Sequence, residues 1–372
     1  MNWRRTRAVF RKEALHIRRD ARSLIMALLM PLFLLLLFGY ALSLDVDRIP
    51  TAIRDQDRTP ESRDLAARFH GSRYFDVLPE AAGDDRAIDR GIDRDRILLA
   101  VVIPRNYARD LQTAHGASVQ LLLDGSDSNT ASIALGYAEG LIAGYALELV
   151  RKQGRAGPAV EPRVRVWYNA ELKSRNYIVP GLIAVILMII AALLTSLTVA
   201  REWEMGTMEQ LLSTPLRPAE FLLGKLGAFF VLGLIDMIIA VAVGIFLFGV
   251  PLRGNGLLLF GTGCVFLFGA LCWGLLLSAI ARSQLLAYQM GMLSSFLPAF
   301  LLSGFVYSIE NMPTVIQAIT HIVPARYFIT ALRAIFLKGL GVEVLWGEIA
   351  FLAGYAALIF FIATRKLGQK VA

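Results

Sequence analysis

Cysteine and histidine are almost missing, with two and four copies in 372 residues. Cys264 and Cys272 lie eight residues apart in one apolar run. At 1.5 Å of helical rise per residue they would be roughly 12 Å apart, too far for a disulfide. They carry no information about redox compartment. His16, His70, His115 and His321 are too scattered to form a metal cluster. A GxxxxGK[ST] phosphate loop is absent, because Gly224-Lys225 is followed by Leu226 and lacks the upstream glycine. The chain is therefore not expected to hydrolyse ATP by that route. No GxSxG nucleophile motif occurs either. "LLLDGSDSN" sets Asp124, Asp127 and Asn129 near a glycine, but without the spacing and final glutamate of a calcium loop. A strand-to-helix turn is the reading it favours. No catalytic residue, metal or cofactor is expected in this chain.

Charge is scarce as well: 18% of residues are charged against 56% hydrophobic, and the mean hydropathy is +0.56. Uncharged apolar runs of about 18 residues or more read as membrane spans. Four such runs lie between Arg22 and Asp45, Arg175 and Arg201, Arg253 and Arg282, and Arg282 and Glu310. A fifth, Leu226 to Leu252, contains Asp236, and a sixth, Val344 to Thr364, contains Glu348. The sequence thus predicts an α-helical polytopic membrane protein with six spans, at 23–44, 177–200, 221–249, 256–281, 286–308 and 344–364. Ala41-Leu42-Ser43 loosely mimics a signal-peptide cleavage site. The apolar region before it, about 20 residues, is longer than a usual signal core, so an uncleaved anchor is expected.

The net charge of +8 raises nucleic acid as a partner, but the distribution argues against it. Lys and Arg crowd before the first span and return at Arg201, Arg217, Lys225, Arg282, Arg365, Lys366 and Lys370. With six spans and the N-terminus inside, all of these fall in the cytoplasm. That is the positive-inside bias of a membrane protein. Both termini, including the tail 365–372, are expected on that side of the membrane.

Residues 1–22 read as a basic amphipathic helix at the inner lipid surface. Trp3, Phe10, Ala14 and Ile17 fall within about 60° of one another at 100° per residue. Residues 45–175 differ in kind, with 19 basic and 20 acidic residues that nearly cancel. "IPTAIRD", "ILLAVVIP", "VQLLLD" and "VRVWYN" look like strands, with helices expected at 60–69 and 129–152. An α/β or α+β domain inserted between spans 1 and 2, outside the cytoplasm, follows. Between spans 5 and 6, residues 313–340 are too apolar for a loop and too interrupted for a span. Pro313 and Pro324 each suit the start of a short outer helix, with Arg326 and Arg333 at headgroup level and Tyr327 as an interface anchor.

The stretch "REWEMGTMEQLLSTP" (201–215) puts three glutamates, a glycine and a Thr-Pro stop between two apolar runs. On a helix Glu202, Gly206 and Glu209 share one face within about 60°, while Met205, Met208 and Leu212 form the opposite one, with Glu204 at its border. Thr214 can cap, and Pro215 ends one helix before the next begins. A short amphipathic helix at 201–213 is expected. Here the sequence resembles the type-2, multidrug-type permeases of bacterial ATP-binding-cassette exporters. Arg201, Glu202, Glu204, Gly206, Thr207, Glu209, Gln210, Leu211, Thr214 and Pro215 match that signature, followed by Gly224-Lys225. "NYIVPG" before the second span and "VPARYF" before the sixth extend the likeness across the chain.

The resemblance implies that 201–213 is a coupling helix docked on a separate cytoplasmic ATPase subunit, which holds the ATP and magnesium. The polar face would meet the ATPase, and the methionines with Leu212 would hold the helix to the membrane domain. The family works as a dimer, so a second copy or a paralogous permease is the next partner, with membrane lipid and a periplasmic adaptor as further ones. Its path runs between the second and fifth spans, which puts Ile186, Ile189, Leu193, Met292, Phe296 and Phe300 among the lining residues. Asp236, roughly 15 Å into the third span, joins them as a candidate for substrate or proton contact. A helix-packing aspartate is the alternative. The implied activity is export of hydrophobic or amphipathic, drug-like small molecules. Its rivals are a mechanotransmitting subunit that drives its outer domain, export of a lipid or polysaccharide, and a receptor or scaffold.

Overall fold

The computed structural model describes residues 2–41, 48–78, 85–94, 96–112, 117–126, 128–152, 173–281 and 283–371. They fall into two compact units, 44–165 and the combination of 1–43 with 166–372.

The chain begins with α1 (Trp3–Arg19), whose first turn is closed by the Asn2 side chain accepting from the Arg4 amide at 3.1 Å. After a one-residue break at Asp20 comes α2 (Ala21–Ala41).

The 44–165 unit runs β1 (Ile49–Asp55), α3 (Pro60–His70), β2 (Phe75–Val77), α4 (Asp85–Ile92), β3 (Leu99–Ile103), α5 (Tyr107–Leu111), β4 (Gln120–Leu123) and α6 (Ser128–Lys152). The sheet order is β2-β1-β3-β4; β1 is parallel to β2 and β3, and β4 is antiparallel to β3. Parallel pairs need crossovers, and their helices cover both faces. Ile49, Leu65, Phe69, Leu99, Val101 and Ala134 form the core on one face, and Ala52, Ile88, Ile97 and Ala100 that on the other. The unit is α/β. Three expected strands are present. The fourth, "VRVWYN", lies outside the described residues, and β2 is a strand that the sequence did not announce. At "LLLDGSDSN" Asp124 accepts from the Ser126 amide at 2.9 Å, a turn contact that holds its carboxyl below the usual range. Asp127 lies outside the described residues.

The other unit continues with α7 (Ser174–Glu204), α8 (Thr207–Leu212), α9 (Pro218–Phe246), α10 (Gly256–Ile280), α11 (Gln284–Leu301), α12 (Thr314–Thr320), α13 (Pro324–Arg333) and α14 (Val342–Val371). Helix α7 is central, with α2, α9, α10, α11 and α13 packed on it, and α14 packs on α10. Small and hydroxylated residues let α7 and α10 approach closely. Thr195 Oγ1 donates to the Leu271 carbonyl at 2.9 Å, and Ser278 Oγ accepts from the Val199 and Ala200 amides, each at 2.9 Å. A methyl group on Gly274 would collide with Thr195 Oγ1 and the Ala192 carbonyl.

Among the described residues, five helices are long and apolar enough to cross a bilayer, or six if α12 and α13, which meet at 80°, count as one broken span. Four of the five, α7, α9, α10 and α14, coincide with expected spans. The fifth is α6, at Thr130–Arg151, in the α/β unit. The expected spans at 23–44 and 286–308 fall on α2, with its apolar stretch Ala27–Ala41, and on the 18-residue α11. A multi-pass helical membrane protein is what these elements form. Past α11 the chain turns at Gly304 (φ 78°) instead of continuing to 308. Arg333 holds that turn, lying 3.4 Å over the Tyr177 ring and donating to the Gly304 carbonyl at 3.1 Å.

Candidate functional site

The stretch 201–225 is built differently from one amphipathic helix. Arg201 to Glu204 complete α7, and Gly206 then turns the chain with φ 69°, a left-handed conformation that only glycine adopts without strain. The six-residue α8 follows. The expected helix over 201–213 is therefore split at Gly206, and Gly206 is a hinge point, with nothing within 4 Å of the space its Cβ would take. The Thr214 hydroxyl donates back to the Leu211 carbonyl at 2.6 Å and so closes α8. It is Pro218 that opens α9, where the Arg217 amide is capped by Glu220 Oε2 at 3.2 Å. Pro215 sits in the turn between, its carbonyl accepting from Arg5.

The expected two-faced division is also revised. Glu202 is 8% exposed and turned inward. Its Oε1 meets Lys12 Nζ at 2.9 Å and Lys225 Nζ at 3.2 Å, while Oε2 accepts from Thr207. Lys225, 2% exposed, also pairs with Glu13 Oε2 at 3.0 Å. A carboxylate this deep needs its charge answered, and Lys225 of α9 draws Glu202 of α7 and Glu13 of α1 onto one point. Met205, expected against the membrane domain, is 66% exposed because it follows the last turn of α7. Met208 is buried as expected; Glu209 and Gln210 are exposed. Leu212 ends α8. Glu204 is exposed and accepts from both the backbone and side-chain nitrogens of Gln284, each at 3.0 Å, tying the end of α7 to the start of α11. Arg201 reaches Gln284 Oε1 at 3.3 Å and His16 Nε2 at 3.0 Å.

On helix α1 the residues of the apolar stripe are unequally covered by the protein, with Phe10, Ala14 and Ile17 half-buried. Trp3 is 71% exposed, and the buried positions are Thr6 and Glu13. The reason is α9: a Cβ at Gly224 would sit 2.6 Å from Val9 Cβ, and one at Gly227 would sit 3.0 Å from the Phe10 ring. These two glycines let α1 lie directly on α9. Glu220 completes the contact, accepting from the Asn2 amide at 2.5 Å. Sequence reasoning assigned no role to Lys12, Glu13, Glu220 or Lys225. The signal for Lys225 was present, since a lysine in the first turns of an apolar helix must find anions. Its partners, 23 and 212 residues away, were not legible.

Of the expected lining residues, Ile186, Ile189 and Leu193 lie on α7 and Met292, Phe296 and Phe300 on α11, two helices packed on each other. Ile186 is buried, Met292 is 42% exposed, and the Phe296 and Phe300 rings stand 5.4 Å apart. Asp236 is on α9, on the flank where Gly233 meets Leu267 and Met237 meets Gly263 of α10. It is 2% exposed, and neither carboxylate oxygen has a hydrogen-bond partner among the described residues. Among the described residues, no three His, Cys, Asp or Glu side chains come together as a metal site.

Residues 21–365 match the family model described as ABC-2 family transporter protein. The chain is 38% identical over 372 residues, all of this chain and 98% of the relative, to the "Probable multidrug ABC transporter permease YbhS" of Escherichia coli K12. It is 33% identical over 342 residues, 92% of each chain, to the "Probable multidrug ABC transporter permease YbhR" of the same organism. The "Inner membrane transport permease YhhJ" of that strain is 28% identical over 331 residues, covering 87% of this chain and 86% of the relative.

Proposed function

This chain belongs to the ABC-2 transporter family, and on that premise we propose that it is the membrane permease of an exporter for hydrophobic or amphipathic small molecules. The family component is the transport subunit, and the ATPase is a separate partner. In the proposed arrangement the chain crosses a bacterial inner membrane six times, using α2, α7, α9, α10, α11 and α14. Both termini and α8 are cytoplasmic, and 45–175 lies outside. Two such permeases pair along α7 and α11. The names of the relatives suggest drug-like cargo.

One observation carries the coupling part of this reading. The exposed Glu209 and Gln210 sit on a six-residue helix whose root is tied by the Glu202–Lys225–Glu13 cluster to α7, α9 and α1 at once. A push on α8 therefore reaches three helices through charged contacts rather than through a loose loop. A solvated connector would need no such root.

The test is Glu209→Lys. Among the described residues Glu209 makes no ion pair, so the variant leaves the buried cluster alone. Charge reversal at a docked interface weakens association on the order of tenfold or more. Co-purification of the ATPase and substrate-stimulated ATP hydrolysis should fall together, with insertion unchanged. Full co-purification and full export in Glu209→Lys would remove α8 from the interface. Glu202→Lys is not an equivalent test, because it would break the buried cluster as well.

A further inference from the structure

Beside the buried ion cluster the 1–43 and 166–372 unit holds a half-open cavity of about 550 Å³, lined by α1, α2, α7 and α9 and by Tyr288 of α11. That volume suits a drug-sized ligand. Its two ends differ chemically. Ala27 and Met30 of α2, Ile190 and Leu193 of α7, and Phe229 and Leu232 of α9 make one end apolar. Lys12, Glu13, His16, Arg201, Glu202 and Lys225 line the other. From Arg201 to Ile190 is eleven residues of α7, roughly 16 Å of helix, and from Asp20 to Met30 roughly 15 Å of α2. Half of a bilayer's hydrocarbon core, about 30 Å thick, is the same length. The cavity is thus as deep as one leaflet, with its charges at one end only.

The charges at the polar end are not equally committed. Both oxygens of Glu202 are occupied by Lys12, Lys225 and Thr207, and Glu13 is paired with Lys225. Asp20 also borders this end and is itself partnered. Arg201 is the exception. It touches the neutral amide oxygen of Gln284 and the His16 ring, and among the described residues its charge meets no carboxylate. A quaternary ammonium head would find the carboxylates already neutralised and a guanidinium facing it. A phosphate or carboxylate head would gain a charge-assisted, geometrically matched partner.

We propose that this cavity binds a single-chain amphiphile with an anionic head, drawn from the leaflet beside α1, with Arg201 holding the head and the α2, α7 and α9 side chains the tail. As a loading site for cargo it deepens the export reading and rests on it; as a binding site it stands alone.

The experiment uses the whole chain in phosphatidylcholine nanodiscs with dodecyl phosphate carrying a diazirine at its tail end. Photolabelling should fall on α2 and α7 near Met30, Leu193 and Ile190. Excess dodecyl phosphate should suppress it at least tenfold, while dodecyltrimethylammonium and inorganic phosphate should not. Arg201→Gln should lower labelling about tenfold, the scale of one lost charge-assisted contact. Arg201→Lys should restore part of it. Ala27→Trp, which fills the tail space without touching the head, should abolish it, with helical content checked by circular dichroism. Equal suppression by the ammonium amphiphile overturns the proposal. So does labelling as strong on the exposed Leu358 and Phe361 of α14, labelling indifferent to both variants, or chain-to-chain cross-links showing that a second copy fills the space. Unselective labelling with ATP-driven export intact removes this site and leaves the exporter reading standing. Selective labelling with neither export nor an ATPase partner removes the exporter reading and leaves the site.

Discussion

A lysine 2% exposed near the start of an apolar helix persists only with its charge answered, and Lys225 has two carboxylates within 3.2 Å. Removing it strands both. Lys225→Met should destabilise the chain by about 3–5 kcal/mol, the usual cost of breaking a buried pair from one side. Lys12→Met removes an ion pair whose lysine is 54% exposed, and should cost about 1 kcal/mol or less. Thermal unfolding in detergent separates the two, and equal midpoints would show that the cluster is not a structural root. Adding Glu13→Gln to Lys225→Met should recover part of the loss, because it removes one of the orphaned charges.

Helices α7 and α10 approach closely at Gly274, Thr195 and Ser278. Gly274→Ala should cost about 1–3 kcal/mol, since its methyl would meet Thr195 and the Ala192 carbonyl, both fixed in helix α7. Gly261→Ala, on the same helix where a methyl finds nothing within 4 Å, should be neutral or slightly stabilising. Unfolding midpoints of the pair, measured side by side, check the close approach. Equal values would mean the helices are further apart than described. The joint between α7 and α8 follows another rule. There the constraint is the backbone of Gly206, so a bulky residue would mix strain with any effect on a docked partner.

For the molecule as a whole, the proposed six-span topology makes a labelling prediction. In a background lacking Cys264 and Cys272, cysteine at Ser118 or Ser126 should react with an impermeant thiol reagent from outside, and cysteine at Ser213 should not. All three serines are exposed. Ser62 is unsuitable, being fully buried and bonded to Thr59 and Asp55. Labelling of Ser213 from outside would overturn the topology, and with it the placement of α8 beside an ATPase.

Apolar runs identified four of the long helices by themselves, because a bilayer imposes one requirement, length without charge, that can be counted along the chain. That 45–175 mixes strands with helices was legible for the same kind of reason, since strand and helix periodicities are local; the parallel pairing that makes the unit α/β was not. The signature at 201–215 located the candidate site and named the family, since ten matching residues lie within fifteen. What lay beyond the sequence was every property fixed by a distant partner. The inward turn of Glu202 depends on Lys225 and Lys12. The face of α1 that packs on the protein was set by Gly224 and Gly227 of α9, which receive Val9 and Phe10. The splitting of the 201–213 segment came from one φ angle at Gly206. Periodicity says which residues share a face, but only the neighbour that packs there decides which face is buried. Charges brought together from residues 13, 202 and 225 leave no pattern along the chain.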